Sequence, residues 1–375
     1  MLRIGLLSLV HERGKLVAAV AGVAFAAMLV LAQTGIYVGF KRTASAVISH
    51  VGGDLWVMAR GTEVLDNSEP LVAGSRMLAE VPCVRRVRGL VFAWTTMRKP
   101  SGALESVQVV GYDPLPGDAP AVLPWSLARG VPADLHGPMR VSVDALDLTR
   151  LEIRGDPIGA WLDIGPGAHV GAVTYGIRAF TLAPYLFAEA STAQRLTGMA
   201  ADQYSYWIVD LEEAACADAV ARAIERHPEL VARRRAAFQE STETYWVDGS
   251  GAGGALGFSA VLGLVVGIVV VGQTLYSMTK EHLKELATLK AMGATDGELV
   301  GFVAAQAVLV AGAGGTVGIG AAFGVRALVE TAGLQLVLSP GVLALGVTSI
   351  LVICIVACAF ALRRVLTVDP AEVFK

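Results

Sequence analysis

The sequence predicts an α-helical membrane protein with four transmembrane helices and a large extracytoplasmic α+β domain inserted between the first and second helices. Three observations carry this. Residues 16–40, 249–279, 299–325 and 331–362 contain no Asp, Glu, Lys or Arg. Each run is long enough to cross a bilayer core, which takes roughly 20 apolar residues of helix. All six Trp (Trp56, Trp94, Trp125, Trp161, Trp207 and Trp246) lie between the first and second runs, with most of the charged residues, as befits a folded aqueous domain with its own core. The short flanks are cationic. Arg3, Arg13 and Lys15 sit at the head, Lys280, Lys284 and Lys290 after the second run, and Arg363, Arg364 and Lys375 in the tail, against Arg326 alone between the third and fourth runs. The positive-inside rule then places both termini and the 280–298 loop in the cytoplasm and the large domain outside, in a multi-pass protein of the cell (inner) membrane.

Composition narrows the function classes. At 54% hydrophobic and 17% charged residues, with a mean hydropathy of +0.58, the chain is not a soluble globule. Its net charge of −3 and lack of a basic patch argue against a nucleic-acid partner.

Residues 1–15 form an amphipathic cytoplasmic helix, with Leu2, Leu6, Leu9 and Val10 opposite Arg3, His11 and Arg13. A cleaved signal peptide is the alternative, but the apolar run that follows is too long and no Ala-x-Ala site closes it. The first span is 16–40. Gln33 and Tyr37, with Thr34 beside them, are polar groups at depth, and Gln33 and Tyr37 are candidates for contact with cargo; Gln273 and Tyr276 are the notable polar groups of the second span.

The external domain occupies 41–247. Strand patterns cover 55–58, 90–95, 106–111, 140–143 and 170–175, separated by Pro- and Gly-rich turns such as DPLPG at 113–117. Near its end the pattern changes to a strand at 204–211, a helix at 212–226 closed by His227-Pro228, and an exposed helix over 230–238, which suggests a small α/β part beside a mostly β one. Arg85, Arg86 and Arg88, like Arg233, Arg234 and Arg235, read as solvated faces or as contacts for a partner or lipid headgroups. Cys83 and Cys216 share this domain and could pair in an oxidising compartment, but a core of about 200 residues does not need a staple, so a bond between them is not the expectation. Its four His are scattered singly, and no GxSxG, HExxH or CxxC occurs. A membrane-bound enzyme with its site here is therefore the weakest reading.

The second span, 249–279, runs without a break into the charged pattern KEHLKELATLK. Leu283, Leu286 and Leu289 line one face of it, Gly293 is placed as a C′ glycine, and Thr295-Asp296-Gly297-Glu298 is a capping box that starts the third span (298–325) afresh. Segment 280–297 is thus a discrete knob on which something outside the membrane could push. Ser339-Pro340 opens the fourth span (339–362), and Asp369-Pro370-Ala371-Glu372 repeats the start signal in the tail (363–375). The pairs Gly253/Gly257, Gly263/Gly267, Gly314/Gly318 and Gly320/Gly324 let helices approach closely in lipid, as a dimer seam, a sliding interface or packing within one bundle. Cys354 and Cys358 share one face of the last span. No span carries an ionisable residue in its middle, as ion-driven transporters generally do. No GxxxxGK[ST] occurs either, so energy would have to come through a partner.

These features together resemble the FtsX-like/MacB-like family of ABC transporter permease subunits, over essentially the whole chain. KEHLKELATLKAMGAT is similar to that family's charged helix and turn after the second span, and DPAEVFK to its usual end. GGDLWVMARGTEVLD, GYDP and YSYWIVDLEEAACADAVARAIERHPEL followed by YW resemble the opening, middle and closing segments of its external domain; LEIRGDPIGAWLDIG departs from the family pattern. The resemblance implies a MacB-like periplasmic core, two permeases (a homodimer or a pair with a paralogue) and two separate ATPase subunits that use ATP and magnesium, while this chain holds no cofactor. It assigns ATPase coupling to Glu281, Lys284, Glu285, Leu289, Lys290 and Gly293 and, in the tail, Asp369 and Glu372. Helix packing or dimerisation would fall to Gly263, Gly267, Gly314 and Gly318. Membrane lipids and, in some subfamilies, a periplasmic adaptor are further partners. The expected function is transmission of ATPase motion to the external domain for efflux or extraction of a hydrophobic or amphipathic cargo. The alternative is a regulator like the division protein FtsX, which activates a cell-wall hydrolase and moves no cargo.

Overall fold

The computed structural model describes residues 13–72, 74–113, 127–177, 183–249, 251–281, 288, 295–331 and 335–366. They fall into two compact units, Lys41–Ser250 and the membrane segments on either side of it, Met1–Phe40 with Gly251–Lys375.

In the membrane unit, four helices are apolar and long enough to span: α1 (Arg13–Ala44), α7 (Ala252–Glu281), α8 (Asp296–Thr331) and α9 (Pro340–Leu366). The first helix is longer than the 16–40 run, because Lys41 and Arg42 continue its pattern with no breaking residue. It is also the central one. Its spanning window is 44% buried, against 17%, 28% and 33% for α7, α8 and α9. Small residues of α1 (Ala19, Val23, Ala26, Ala27) meet Val271 of α7, Val310 of α8 and Ile353 of α9 in one core. The outward faces carry Phe258, Val308, Leu328 and Ile355, all largely exposed, as suits helices whose surroundings are lipid.

The starts of the last two spans are built as their sequences specify. Thr295 and Glu298 cap α8 reciprocally: the Glu298 carboxylate accepts from the Thr295 amide at 3.0 Å, and the Glu298 amide donates to Thr295 Oγ1 at 3.4 Å. Ser339 Oγ accepts from the Val342 amide, with Pro340 at the first helical position.

The second unit is one large sheet with helices against it. Its first part has the order β12-β1-β11-β3, from β1 (Leu55–Ala59), β3 (Val84–Arg98), β11 (Tyr206–Leu211) and β12 (Leu230–Arg234). Alternation along a strand sends neighbours to opposite faces. Here Trp56, Met58, Tyr206 and Ile208 join one core with Val47 and Ile48 of α2 (Ala46–Val51) and Phe238 of α6 (Arg235–Thr244). Leu55, Val57, Trp207 and Val209 join another with Leu78 of α3 (Ser75–Ala79) and Val220 and Ile224 of α5 (Ala217–Ile224). Burial on both faces is why β1 and β11 read as largely apolar runs.

The second part closes on itself. β3 pairs with β4 (Leu104–Tyr112), and the order runs on through β9 (Tyr185–Glu189), β6 (Arg140–Asp144) and β8 (Ala168–Thr174). β7 (Trp161–Ile164) bridges β8 back to the far end of β3. The apolar side of this ring packs on Ala190, Ala193 and Leu196 of α4 (Ala190–Thr197). The short strands β2 (Leu71–Val72) and β10 (Gln203–Tyr204) pair with each other, and β5 (Leu127–Arg129) edges β8.

Three expectations are corrected. Segment 230–238 is not one helix: 230–234 is strand β12, because antiparallel pairing with β1 supplies its backbone partners and tucks Ala232 into the core. The helix expected at 212–226 is confined to α5 after a 3₁₀ turn at Ala214–Cys216. Cys83 and Cys216 are bonded, which staples the turn before β3 to the turn before α5.

Candidate functional site

The membrane unit's working surfaces are set by glycine. A Cβ on Gly263 would lie 2.7 Å from Leu29, and one on Gly267 would lie 2.5 Å from Ala26 and 2.9 Å from Ile353. On α8, Gly314 faces Val23 and Gly318 faces the Ala24 carbonyl oxygen, each at 2.6 Å. All four therefore admit α1 to close contact within this chain. α1 returns the arrangement through Gly22, whose absent Cβ would lie 2.6 Å from Val270. Gly35 and Gly39 lie under the backbone of 335–337, where the Val337 amide donates to the Gly35 carbonyl at 3.0 Å. Gly257, Gly320 and Gly324 meet nothing within 4 Å.

Gln33 and Tyr37 are half-buried on α1. Sequence reading passed over Gln306 of α8, which is 1% exposed. An amide buried among apolar helices was detectable as a polar residue inside the third run. Glu281 is the last residue of α7. Lys284, Glu285, Leu289, Lys290, Gly293, Asp369 and Glu372 lie outside the described residues.

In the second unit, Glu243 of α6 is held from three sides. Lys41 Nζ is 3.3 Å from Oε2, while Ser45 Oγ and Gln239 Nε2 donate to Oε1 at 2.7 and 3.0 Å. The segment leaving α6 is tied as well, with Trp246 Nε1 donating to Asp66 and Gln108 Nε2 to the same carboxylate at 2.7 Å. Burial pushes the Asp66 carboxyl above its usual range against the pull of these two donors. The residues where the chain enters and leaves this unit are thus each fastened to its body. Arg88 is no solvated residue: its guanidinium bonds Asp210 at 3.1 Å on the neighbouring strand. Arg234 pairs with Asp218 at 2.8 Å. Among the described residues no group of three His, Cys, Asp or Glu is placed to hold a metal.

The family models agree with this layout. The MacB-like periplasmic core domain matches residues 16–227, and the FtsX-like permease C-terminal domain matches 257–370. The chain belongs to the FtsX/MacB-like permease family. Among solved structures, the periplasmic region of MacB from Actinobacillus actinomycetemcomitans is 12% identical with a TM-score of 0.38, covering 52% of this chain and 95% of that one. The extracellular domain of the noncanonic ABC-type transporter YknZ from Gram-positive bacteria is 15% identical at 0.36, covering 48% and 98%. A domain of a putative permease from Porphyromonas gingivalis is 16% identical at 0.34, covering 49% and 90%. No curated protein matches the chain.

Membership of the FtsX/MacB-like family makes this an ABC-type permease subunit with an ATPase partner, a membrane protein with an extracytoplasmic domain. Permeases of this family are generally not themselves catalytic.

Proposed function

We propose that this chain is the membrane subunit of an ATP-driven exporter that receives the stroke of a separate ATPase at 280–297 and conveys it to the extracytoplasmic domain. The cargo is hydrophobic or amphipathic, moved by efflux or extraction. The observation that carries the reading is the reciprocal Thr295–Glu298 cap. It starts α8 afresh at Asp296 instead of letting one apolar helix run on into the next, which supports reading the charged segment 280–297 between the second and third spans as a docking element. The cationic flanks support cytoplasmic termini. Two copies, or one copy with a paralogue, complete the assembly, and the uncovered Gly320 and Gly324 of α8 leave room for a second helix.

Charge reversal at Glu281, Lys284 and Glu285 should abolish co-purification with the cognate ATPase; unchanged co-purification would refute the coupling role. In liposomes holding both subunits, a hydrophobic cargo should stimulate ATP hydrolysis. Stimulation by a cell-wall hydrolase and by no cargo would favour the regulatory reading instead.

A further inference from the structure

An open cleft of about 500 Å³ lies beside the far end of the ring, between the β3–β4 turn and segment 151–163. Such volumes are typical of small-molecule sites. Both walls are fixed in advance. Glu152, whose backbone sits in the left-handed region (φ 57°), accepts from the Ser101 amide at 2.9 Å and from its hydroxyl at 2.8 Å. Those bonds tie one wall to the other. Glu105 is engaged by Lys99 at 3.1 Å and by Arg150.

Trp161 lines the cleft and is 57% exposed, yet it is not loose. Its indole lies on Gly167, where a Cβ would overlap the ring. It also meets His169 edge-on, with ring centroids 4.9 Å apart. Alternation along β7 turns Leu162 and Ile164 inward and leaves Trp161 outside. An immobilised aromatic offers apolar contact with little further ordering cost. Ile153 and Ala160 extend that apolar surface.

Charge selects the occupant. The nearby carboxylates of Glu105 and Glu152 are taken up in holding the walls, and Asp163 faces Arg98 at 3.8 Å. Arg154 is exposed and makes no close ion pair among the described residues, its charge acting only at longer range on the Glu152 carboxylate that Ser101 already holds. We propose that this cleft binds a single-chain amphiphile with an anionic head, its chain against Trp161 and Ile153 and its head on Arg154. This deepens the exporter reading by naming a cargo class, and it rests on that reading for its biological meaning.

The test uses the full chain in phosphatidylcholine nanodiscs with 11-bromoundecanoate, whose bromine quenches indole fluorescence on contact. The Trp161 signal is the difference between the native protein and Trp161→Phe. It should be quenched saturably, and Arg154→Glu should raise the half-saturating concentration by about tenfold or more, the value of a charge-assisted contact. The matched bromoundecyl trimethylammonium should not quench saturably. Equal quenching by both probes, indifference to Arg154→Glu, or quenching that only tracks lipid content would each overturn the proposal. So would protection of Trp161 by an acidic peptide with no effect of the bromo-acid, which would make the cleft a protein-docking surface. If cargo still stimulates the partner ATPase while the cleft stays silent, the cleft assignment fails and the exporter reading stands.

Discussion

Gly318 and Gly320 sit two residues apart on one helix and belong to identical-looking small-residue pairs, yet they face different surroundings. A methyl on Gly318 would lie 2.6 Å from the Ala24 carbonyl oxygen and 2.8 Å from Ala27, and a backbone carbonyl cannot move aside as a flexible side chain can. Gly318→Ala should therefore push α8 off α1 and cost about 1–3 kcal/mol, as overpacking of a close contact does. Gly320→Ala meets open space and should stay within about 1 kcal/mol of the native protein, in the stabilising direction if helix propensity dominates. Thermal unfolding of the two variants in the same detergent checks this; equal losses would contradict the placement of α8. Spacing made all four glycine pairs legible in the sequence. Which pairs are filled was not, because that depends on how helices distant in the chain are turned toward one another.

At the scale of elements, local signals served well where they were self-sufficient. The Thr295–Glu298 box and the Ser339-Pro340 start involve neighbours a few residues apart, so their chemistry was readable and the structure forms both. Six strands were visible from their apolar runs. β12 was not, because Leu-Val-Ala-Arg-Arg reads as an exposed helix until β1 pairs with it. Ring closure through β7 was equally hidden, since it joins 161–164 to the far end of β3 and to β8. The Cys83–Cys216 bond spans a sequence separation of 133, and burial gave no sign that a core of this size required it. Closing so long a loop restricts the unfolded chain strongly, so replacing both cysteines by Ser should lower the stability of the extracytoplasmic unit by about 2–5 kcal/mol. Denaturant unfolding of native and variant protein under non-reducing conditions measures it. A midpoint unchanged by the substitutions, and equally unchanged by reductant, would mean the bond does not constrain the fold.

For the molecule as a whole, the layout followed from where charge is absent: four uncharged runs around one Trp-bearing aqueous domain. The membrane unit is built around α1, which meets each of the other three spans in one core. The extracytoplasmic unit fastens both its entry and its exit, through Lys41, Ser45 and Glu243 at one and Asp66 and Trp246 at the other. Under the proposed function, a domain anchored at both ends in this way would move as a body when its connections move. Hydrogen exchange of residues 41–250 tests that idea most directly, measured on the full chain with its ATPase in nanodiscs, with and without ATP and vanadate. Trapping the nucleotide should change protection in the extracytoplasmic domain, and charge reversal at Glu281, Lys284 and Glu285 should abolish the change. Identical exchange in both nucleotide states, with the ATPase bound and active, would contradict transmission of motion through this chain.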